Sequence, residues 1–397
     1  MSSSLCVGLN AAPLVAPRTG VGRYILGLLS GLRSIAQVGG EGDREGGLLE
    51  VRPLFAPAWA LSAESPLASA EGRLRGLLKG LPLAYAAREV LRARTLSREH
   101  GLDVLHETNH AAPRTRLPVV LTVHDLCALL YPETQEPARA RFFAKALREH
   151  TREARQVITP TAAIARQVVA LLGVEPARVQ AVHHGIDPGL LAARPQEQSL
   201  GDPPLRASPL LLGLGVTGSY LLFVGALEPR KGLPVLLDAY DQLPAALAEA
   251  LPLVLAGPPL RVDRALARRL EARRAGRVLQ TGFLAPEELP ALYRGAAALC
   301  LPSIYEGFGL PLAEALACGT PCVVSDDPSL VEVAGGAALI APRGDAAAFA
   351  GHLLALAQDP GLGQRLSTAG RARATAFTWE ASARAHLKAY RAAAEEA

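Results

Sequence analysis

Residues 297–325 read AALCLPSIYEGFGLPLAEALACGTPCVVS, and this stretch decides the predicted fold. An apolar run, Ala297–Leu301, is followed by a glycine-containing loop, a helical segment and a second apolar run, Cys322–Ser325. Pro311 falls in the first turn of the helix, where proline is tolerated. Runs that are apolar throughout and are joined by a helix are typical of parallel strands covered on both faces.

The same alternation extends over the whole chain in two series, separated by the proline- and glycine-rich residues 188–218. Two such series predict an α/β protein with two doubly wound domains that face each other across a cleft. We expect the first domain at residues 1–190, a linker at 191–218, the second domain at 219–376 and a final helix within 377–397. The apolar runs are Leu5–Leu9, Val51–Phe55, Val104–His106, Val119–Val123, Val157–Thr159 and Val179–Val182, then Tyr220–Val224, Leu253–Ala256, Val278–Thr281, Ala297–Leu301, Cys322–Ser325 and Ala338–Ile340.

Composition excludes several classes of protein. Half of the 397 residues are hydrophobic and 20% are charged, so the chain is not disordered from end to end. The net charge of +4 is too small to indicate a nucleic-acid partner. Five cysteines without a CxxC pair indicate reduced, buried thiols, and the N-terminal residues MSSSLCVGLN lack the pattern of a signal peptide. These observations predict a cytoplasmic protein.

Adjacent cations follow one of the predicted strands. Residues 223–232 read FVGALEPRKG, so the strand ends, the chain turns at Gly225, and Arg230 and Lys231 precede the next helix. At the mouth of a strand-to-helix turn, an arginine fork and a lysine point charge suit a phosphate. The alternative is that both are solvated loop cations.

Two carboxylates flank the start of the helix in the opening stretch. Glu306 lies on the loop and Glu314 lies about one turn into the helix, so both can face the same cleft and accept hydrogen bonds from sugar or ribose hydroxyls. The amides of residues 307–310 (Gly307, Phe308, Gly309 and Leu310) begin the helix and can hold a phosphate. The alternative is that Glu306 caps the helix and Glu314 is an ordinary surface residue.

Two further patterns carry no cofactor. Residues 213–218 match GxGxxG, but a strand follows them where a dinucleotide fingerprint needs a helix. His106 and His110 resemble zinc ligands only in their spacing. We expect no metal and no cofactor apart from the substrate itself.

Taken together, these motifs resemble the retaining GT-B glycosyltransferases of family 4. The resemblance covers nearly the whole chain, and its C-terminal motifs are the more specific. It implies a GT-B fold, in which two Rossmann-like domains face each other and the last helix crosses back to the N-terminal domain. The matching motifs are Glu306-x7-Glu314, Glu228–Gly232, Gly20–Tyr24, His124-Asp125, His184–Asp187 and Gly282-Phe283 with Glu288, Leu289 and Tyr293.

For the donor, the resemblance implies a nucleoside-diphosphate sugar bound mainly by the second domain. Arg230 and Lys231 match the pair that neutralises the diphosphate, and the amides of residues 308–310 would add contacts to it. Glu314 matches the glutamate that holds the ribose hydroxyls. Glu306 matches the one that contacts the donor sugar, so we assign neither glutamate as a nucleophile.

For the N-terminal domain, the resemblance places other residues near the reaction. Gly20 and Gly22 match a flexible loop that closes near the donor phosphates. His124 matches a position beside the reacting sugar, and Asp125 either orients it or caps the next segment. The alternative for His124 is a structural histidine after a buried strand.

The implied reaction needs no metal. Charge develops on the leaving diphosphate, where fixed cations and amides stabilise it. Retention is then explained by attack on the same face of the sugar, with the β-phosphate taking the acceptor's proton. The resemblance is strongest to mannosyltransferases, which favours GDP-mannose as the donor and a glycan or lipid-linked acceptor. The alternatives are a UDP-hexose donor, a sugar-nucleotide epimerase, a glycogen-synthase-like polymerase, or a binding protein on a degenerate fold.

A basic segment bears on the acceptor. Residues 73–98 carry seven basic side chains against the single acid Glu89, with leucines among them. In this fold such a segment would touch an anionic membrane or a lipid-linked acceptor, which would make the protein peripheral at the inner face of the membrane. The alternative is a solvated basic face.

Overall fold

A computed structural model describes residues 4–15, 20–38, 49–54, 101–110, 112, 115–192, 209–272 and 277–395. The chain forms two compact units, Met1–Gly185 with Thr378–Ala397, and Ile186–Phe377. The chain thus passes between units before Ile186 rather than after residue 190, because Ile186 and Leu190 are buried in the second core. It returns after Phe377, which is also buried there. The expected linker is partly structured, since residues 209–213 are helical and Leu211 joins the same core.

The first unit contains a parallel sheet with helices, as predicted. Its described strands pair in the order β2-β1-β3-β4-β5-β6, and every pairing is parallel. The strands are β1 (Leu5–Asn10), β2 (Leu49–Leu54), β3 (Val104–Glu107), β4 (Val119–Thr122), β5 (Gln156–Thr159) and β6 (Val179–Ala181). The described helices are α1 (Gly20–Val38), α2 (Cys127–Leu130), α3 (Pro137–Glu153) and α4 (Ala162–Leu172), and the unit also includes the last helix of the chain.

The first helix begins earlier than the resemblance implied. Gly20 and Gly22 were expected on a flexible loop, but both lie in the first turn of α1, so that prediction of local structure is wrong. Apolar side chains recur on one face of the helix at Tyr24, Leu28 and Leu32, and all three are buried. Their helical spacing, continuous from the first turn, favours helix over loop at the two glycines.

The second unit repeats the architecture. Its described strands pair in the order β12-β11-β10-β7-β8-β9, again all parallel. The strands are β7 (Tyr220–Val224), β8 (Leu253–Ala256), β9 (Val278–Gly282), β10 (Ala296–Leu301), β11 (Cys322–Ser325) and β12 (Leu339–Ala341). The helices are α5 (Pro188–Ala192), α6 (Pro209–Gly213), α7 (Leu233–Asp241), α8 (Ala245–Ala250), α9 (Arg264–Ala272), α10 (Leu289–Gly295), α11 (Leu310–Cys318), α12 (Pro328–Ala334), α13 (Ala346–Gln358) and α14 (Pro360–Ala374).

The last helix, α15 (Trp379–Glu395), belongs to the first unit. It packs along α1, where Gly27 and Gly31 make room for Trp379. A Cβ on Gly27 would lie 1.9 Å from the indole, and a Cβ on Gly31 would lie 2.3 Å from the Trp379 carbonyl oxygen. The two glycines are one helical turn apart, so together they form the groove that seats the helix.

Strand order in the second sheet positions the candidate site. β10 lies between β7 and β11, and the three run parallel, so the loops after Val224, Leu301 and Ser325 emerge side by side at the carboxyl edge. Ligands of open α/β sheets bind beyond this edge. Cysteines do not contribute, since all five are free thiols, buried except for the half-buried Cys318. Among the described helices, none combines the length and apolar character that crossing a membrane requires.

Candidate active site

The loops after β7 and β10 are joined at the carboxyl edge of the second sheet. The amide of Ile304 donates a 2.8 Å hydrogen bond to the carbonyl oxygen of Arg230. Gly232 adopts a left-handed conformation (φ +67°), and a Cβ there would lie 2.0 Å from the carbonyl oxygen of Pro302. Glycine is therefore required where the two loops approach each other.

The two cations predicted to bind phosphate lie on this junction and contact Glu306. Lys231 Nζ lies 2.6 Å from Glu306 Oε1, and Arg230 Nη1 lies 3.3 Å from Oε2. Arg230 Nη2 also lies 3.1 Å from Glu228, and the Ser303 hydroxyl donates to Glu306 Oε1 at 2.8 Å. The side chains of Lys231 and Glu306 are only 9% and 7% exposed, and that of Arg230 is 19% exposed. The alternative of two solvated loop cations is wrong.

Glu306 is held as a carboxylate. Burial alone would raise its pKa, but the charges of Lys231 and Arg230, with hydrogen bonds from Lys231 and Ser303, outweigh burial and lower it below the ordinary value. The alternative that Glu306 caps the next helix is also wrong, because α11 has Gly309 at its N-cap and no side-chain cap. The site thus presents two buried cations balanced by a shared anion.

Glu314 lies inside α11 and is 1% exposed, so it is not a surface residue. The hydroxyl of Tyr293 on α10 donates to its Oε2 at 2.8 Å. Tyr293 itself is fully buried, and its carbonyl oxygen accepts from the Thr320 hydroxyl at 2.7 Å. The sequence singled out Tyr293 as part of a motif, but only the fold shows that its partner is Glu314.

Residues 307–310 form the start of α11, as predicted. Gly309 has a φ of +85°, and a Cβ there would lie 2.5 Å from a methyl group of Leu330. The Phe308 side chain is 4% exposed and packs edge-on against Phe377, with ring centroids 5.6 Å apart. Leu310 opens the helix, followed by Pro311 in the first turn. The partial positive charge of a helix start therefore lies on the same loop as Glu306.

Sequence reasoning missed one buried acid at this edge, Asp327. Its Oδ1 accepts from the amides of Ser329 (2.9 Å) and Leu330 (3.1 Å) and so caps α12, while Oδ2 accepts from the amide of Glu306 (3.3 Å). Burial, together with the nearby charge of Glu306, raises its pKa to about 6 against three amide hydrogen bonds that lower it. The pair Asp327-Pro328, an N-cap followed by proline, was the available signal.

His124 and Asp125 follow β4 in the first unit, where each has a defined partner. His124 Nε2 lies 2.9 Å from the carbonyl oxygen of Thr108, which can only accept, so Nε2 carries the proton. Burial, then the neighbouring His110, lowers the pKa of His124 to about 4, and the ring is neutral at pH 7 with Nδ1 as an acceptor. Asp125 Oδ1 accepts from the amide of Cys127 at 2.9 Å and caps α2, one of its two expected roles.

A chain of buried hydrogen bonds joins α15 to the sheet beside His124. Burial lowers the pKa of His386 to about 4, so its ring is neutral, and Nδ1 must donate to the carbonyl oxygen of Ser382. Nε2 therefore accepts, and each remaining group has one possible role. In order, Tyr390 donates to His106, His106 to Thr122, Thr122 to Tyr24, Tyr24 to His386 and His386 to Ser382, at distances of 2.7–2.9 Å.

Tyr24 links this chain to the predicted catalytic histidine. Its ring packs edge-on against His124, with centroids 4.9 Å apart, and lies 4.7 Å from His184. His106 is thus committed to the hydrogen-bond chain, and no group of three potential metal ligands occurs among the residues that the structure describes. The predicted site residues fall into two sets: Arg230, Lys231, Glu306, Glu314 and residues 307–310 in the second unit, and Gly22, His124 and Asp125 in the first.

Comparisons with known proteins agree with this arrangement. The family model described as "Glycosyl transferases group 1" matches residues 212–373, and that described as "Glycosyltransferase Family 4" matches residues 53–190. The chain is 30% identical over 390 residues to O-antigen chain mannosyltransferase B of Escherichia coli, covering 96% of this chain and 97% of that one. It is 31% identical over 352 residues to the D-inositol 3-phosphate glycosyltransferase of Kribbella flavida, covering 82% and 80%.

Solved structures show the same fold. The Anabaena protein HepE in complex with UDP-glucose superposes with a TM-score of 0.68 at 18% sequence identity, over 97% of this chain and 98% of that one. At this identity the likeness concerns the fold alone, and it agrees with the two parallel sheets described above.

Proposed function

The chain belongs to the group 1 glycosyl transferases and has their two-domain α/β GT-B fold, and from this premise we propose that it transfers mannose from GDP-mannose to a glycan or lipid-linked acceptor, with retention. Glycosyltransferase activity follows from the family. The choice of mannose is supported by the name of the Escherichia coli relative, which aligns over nearly the full length of both chains.

The observation that carries the proposal is the buried cluster of Arg230, Lys231 and Glu306 beside the start of α11. A diphosphate placed there would meet two fixed cations and the positive end of a helix. The cations are held in place by Glu306, so little reorganisation is needed when charge develops on the leaving group. This account requires no metal ion, and the nucleotide sugar is the only small molecule needed.

In the proposed reaction, the acceptor hydroxyl attacks the anomeric carbon on the face that the diphosphate leaves. The bond between the anomeric carbon and the diphosphate oxygen breaks, and the acceptor's proton passes to a β-phosphate oxygen, giving the glycoside and GDP. Glu306 positions the donor sugar and is not the nucleophile, which is supported by the engagement of its oxygens with Lys231, Ser303 and Arg230. Glu314 would accept from the ribose hydroxyls.

The first unit would supply the acceptor side. The neutral ring of His124, with Nδ1 as an acceptor, can receive a hydrogen bond from a sugar hydroxyl without bringing a positive charge beside the oxocarbenium-like centre. Asp125 fixes the start of α2 next to it. Gly22, in the first turn of α1, leaves the helix start open to a phosphate.

A UDP-hexose donor is the second candidate, supported by the UDP-glucose complex of the HepE structure. A sugar-nucleotide epimerase, a glycogen-synthase-like polymerase and a non-catalytic binding protein are separated from both by their products. Contact of residues 73–98 with a membrane remains a prediction, because that segment lies outside the described residues. A cytoplasmic location, peripheral at the inner face of the membrane, likewise remains a prediction.

The test is a thermal-shift panel with GDP, UDP and ADP, followed by turnover. A nucleotide at 100 times its Kd stabilises a protein by about 2.7 kcal/mol. We expect GDP to give this shift and Arg230→Ala to weaken GDP binding by about 1.5–3 kcal/mol, the range for hydrogen bonds to charged groups. Arg277→Ala is the control, because Arg277 is an exposed cation of the same unit that pairs with Glu249.

Turnover then decides the remaining points. GDP release from GDP-mannose that depends on an acceptor and persists in EDTA supports the proposal, and NMR of the product gives the anomeric configuration. A shift with UDP alone overturns the donor, and loss of activity in EDTA that Mg²⁺ restores overturns the metal-free mechanism. Absence of any nucleotide shift favours the binding protein.

A further inference from the structure

Asp327 makes more contacts than its helix cap requires. Capping of α12 uses only Oδ1, which accepts from the amides of Ser329 and Leu330. The second oxygen reaches across to the neighbouring loop and accepts from the amide of Glu306. One carboxylate therefore ties the start of α12 to the backbone of the residue that organises the cation cluster.

We propose that Asp327 is a positioning residue for sugar transfer, which holds the backbone of Glu306 so that its carboxylate meets Lys231 and Arg230 in a fixed geometry. The inference rests on the proposed function, because it concerns the step in which those cations receive the leaving diphosphate. Asp327 itself touches neither the phosphate nor the sugar in this account.

A comparison with another cap in the same unit supports the proposal. Asp345 caps α13 through a 2.8 Å hydrogen bond from the Ala348 amide, and it is exposed. Asp327 is 1% exposed, and Glu306, a second buried acid, lies against it. An aspartate at the surface caps a helix at little cost, whereas a buried one beside another carboxylate is unfavourable.

The chemistry of the side chain explains why an aspartate stands there. Asparagine or serine would cap α12 without charge, but each has one acceptor oxygen. Only a carboxylate offers two oxygens that point at different amides, one set on α12 and one at Glu306. A structural cap alone would therefore not need an acid at this position, while a device that serves both segments does.

The surrounding charges make the tether sensitive to pH. From the loop after β10, Glu306 faces Asp327; from the loop after β7, Arg230 and Lys231 pair with Glu306; and next to Asp327, Asp326 pairs with Arg343. With its pKa raised to about 6, Asp327 is charged at pH 7 and gains a proton as the pH falls below 6. The proton weakens acceptance from the three amides, so positioning should weaken on that acid limb.

The experiment compares Asp327→Asn with the matched cap variant Asp345→Asn in the full chain. Asparagine keeps one oxygen for the cap and presents an NH₂ group to the Glu306 amide. We expect kcat to fall about ten- to hundredfold in Asp327→Asn, corresponding to one lost hydrogen bond to a charged group. GDP affinity should change much less, and the acid limb of kcat near pH 6 should disappear. Asp345→Asn should keep both kcat and the limb.

A second readout follows the tether without activity. Hydrogen exchange of the peptide covering residues 302–309 should accelerate in Asp327→Asn and not in Asp345→Asn. An accelerated exchange with unchanged kcat, or an unchanged pH profile, overturns the positioning role, and unchanged exchange overturns the tether. A wild-type protein that turns over no nucleotide sugar, while the exchange difference persists, overturns the proposed function instead.

Discussion

The buried pair of Lys231 and Glu306 makes a quantitative prediction about the second unit. The perturbation is Lys231→Met, which keeps the apolar length of the side chain and removes its charge. At a separation of 2.6 Å and an effective dielectric constant of about 20, the attraction between the two charges is about 6 kcal/mol. The net loss should be smaller, because Glu306 keeps Arg230 and the Ser303 hydroxyl, and methionine avoids the desolvation of an ammonium group.

We therefore expect Lys231→Met to lower the free energy of unfolding by about 3 kcal/mol, the lower end of the range for breaking a buried ion pair. Glu306→Gln in the same chain should recover part of this loss, with an interaction energy of about 2 kcal/mol in the double-mutant cycle. Urea unfolding followed by far-ultraviolet circular dichroism measures both values. Tryptophan fluorescence reports the first unit separately, since positions 59 and 379 both fall within its residue ranges.

The control is an ion pair of the same length at the surface. Arg277 and Glu249 lie 2.7 Å apart, with side chains 49% and 66% exposed. Their cycle, Arg277→Met with Glu249→Gln, should give less than about 1 kcal/mol, as exposed pairs do. Equal interaction energies in the two cycles, or a Lys231→Met variant as stable as the wild type, would refute the reasoning that burial makes Lys231 and Glu306 a coupled unit.

Two further predictions concern the first unit, and the fluorescence of Trp379 reads both. Gly27→Ala should destabilise this unit by about 1–3 kcal/mol, because the new Cβ would lie 1.9 Å from the indole, whereas Gly351→Ala on α13, with open space around it, should be neutral or slightly stabilising; equal effects would contradict the packing argument. Acidification should destabilise the unit as the pH falls from about 6.5 towards 4, because the folded state lowers the pKa of His386 to about 4 and the unfolded chain binds the proton first. In His386→Gln the loss of stability between pH 7 and pH 5 should be smaller by about 2 kcal/mol, and an unchanged slope would show that this histidine is not buried neutral.

Most of the fold could be predicted from the sequence because apolar runs and helical patterns are local signals. The runs Tyr220–Val224 and Cys322–Ser325 coincide with β7 and β11, and the helix expected after Gly309 begins at Leu310. The points at which the chain passes between units could not be predicted to the residue. Whether Ile186 or Phe377 joins one core or the other depends on which side chains surround it, and those come from distant parts of the chain.

The candidate site divides in the same way. The residue types and their spacing were enough to select Arg230, Lys231, Glu306 and Glu314, because a phosphate needs cations and sugar hydroxyls need acceptors. The sequence left open whether the cations were solvated, and only the adjacency of β7 and β10 shows them buried against Glu306.

The sequence by itself determined the class of fold, the succession of elements and the chemical inventory of the site, since all of these depend on near neighbours in the chain. The tertiary structure decided the partners: Lys231 with Glu306, Tyr293 with Glu314, and Asp327 with the Glu306 amide. It also decided the direction of the hydrogen bonds from Tyr390 to Ser382. The physical reason is that hydrogen bonds and ion pairs act over about 3 Å in space, and strand order, not sequence distance, sets which side chains come that close.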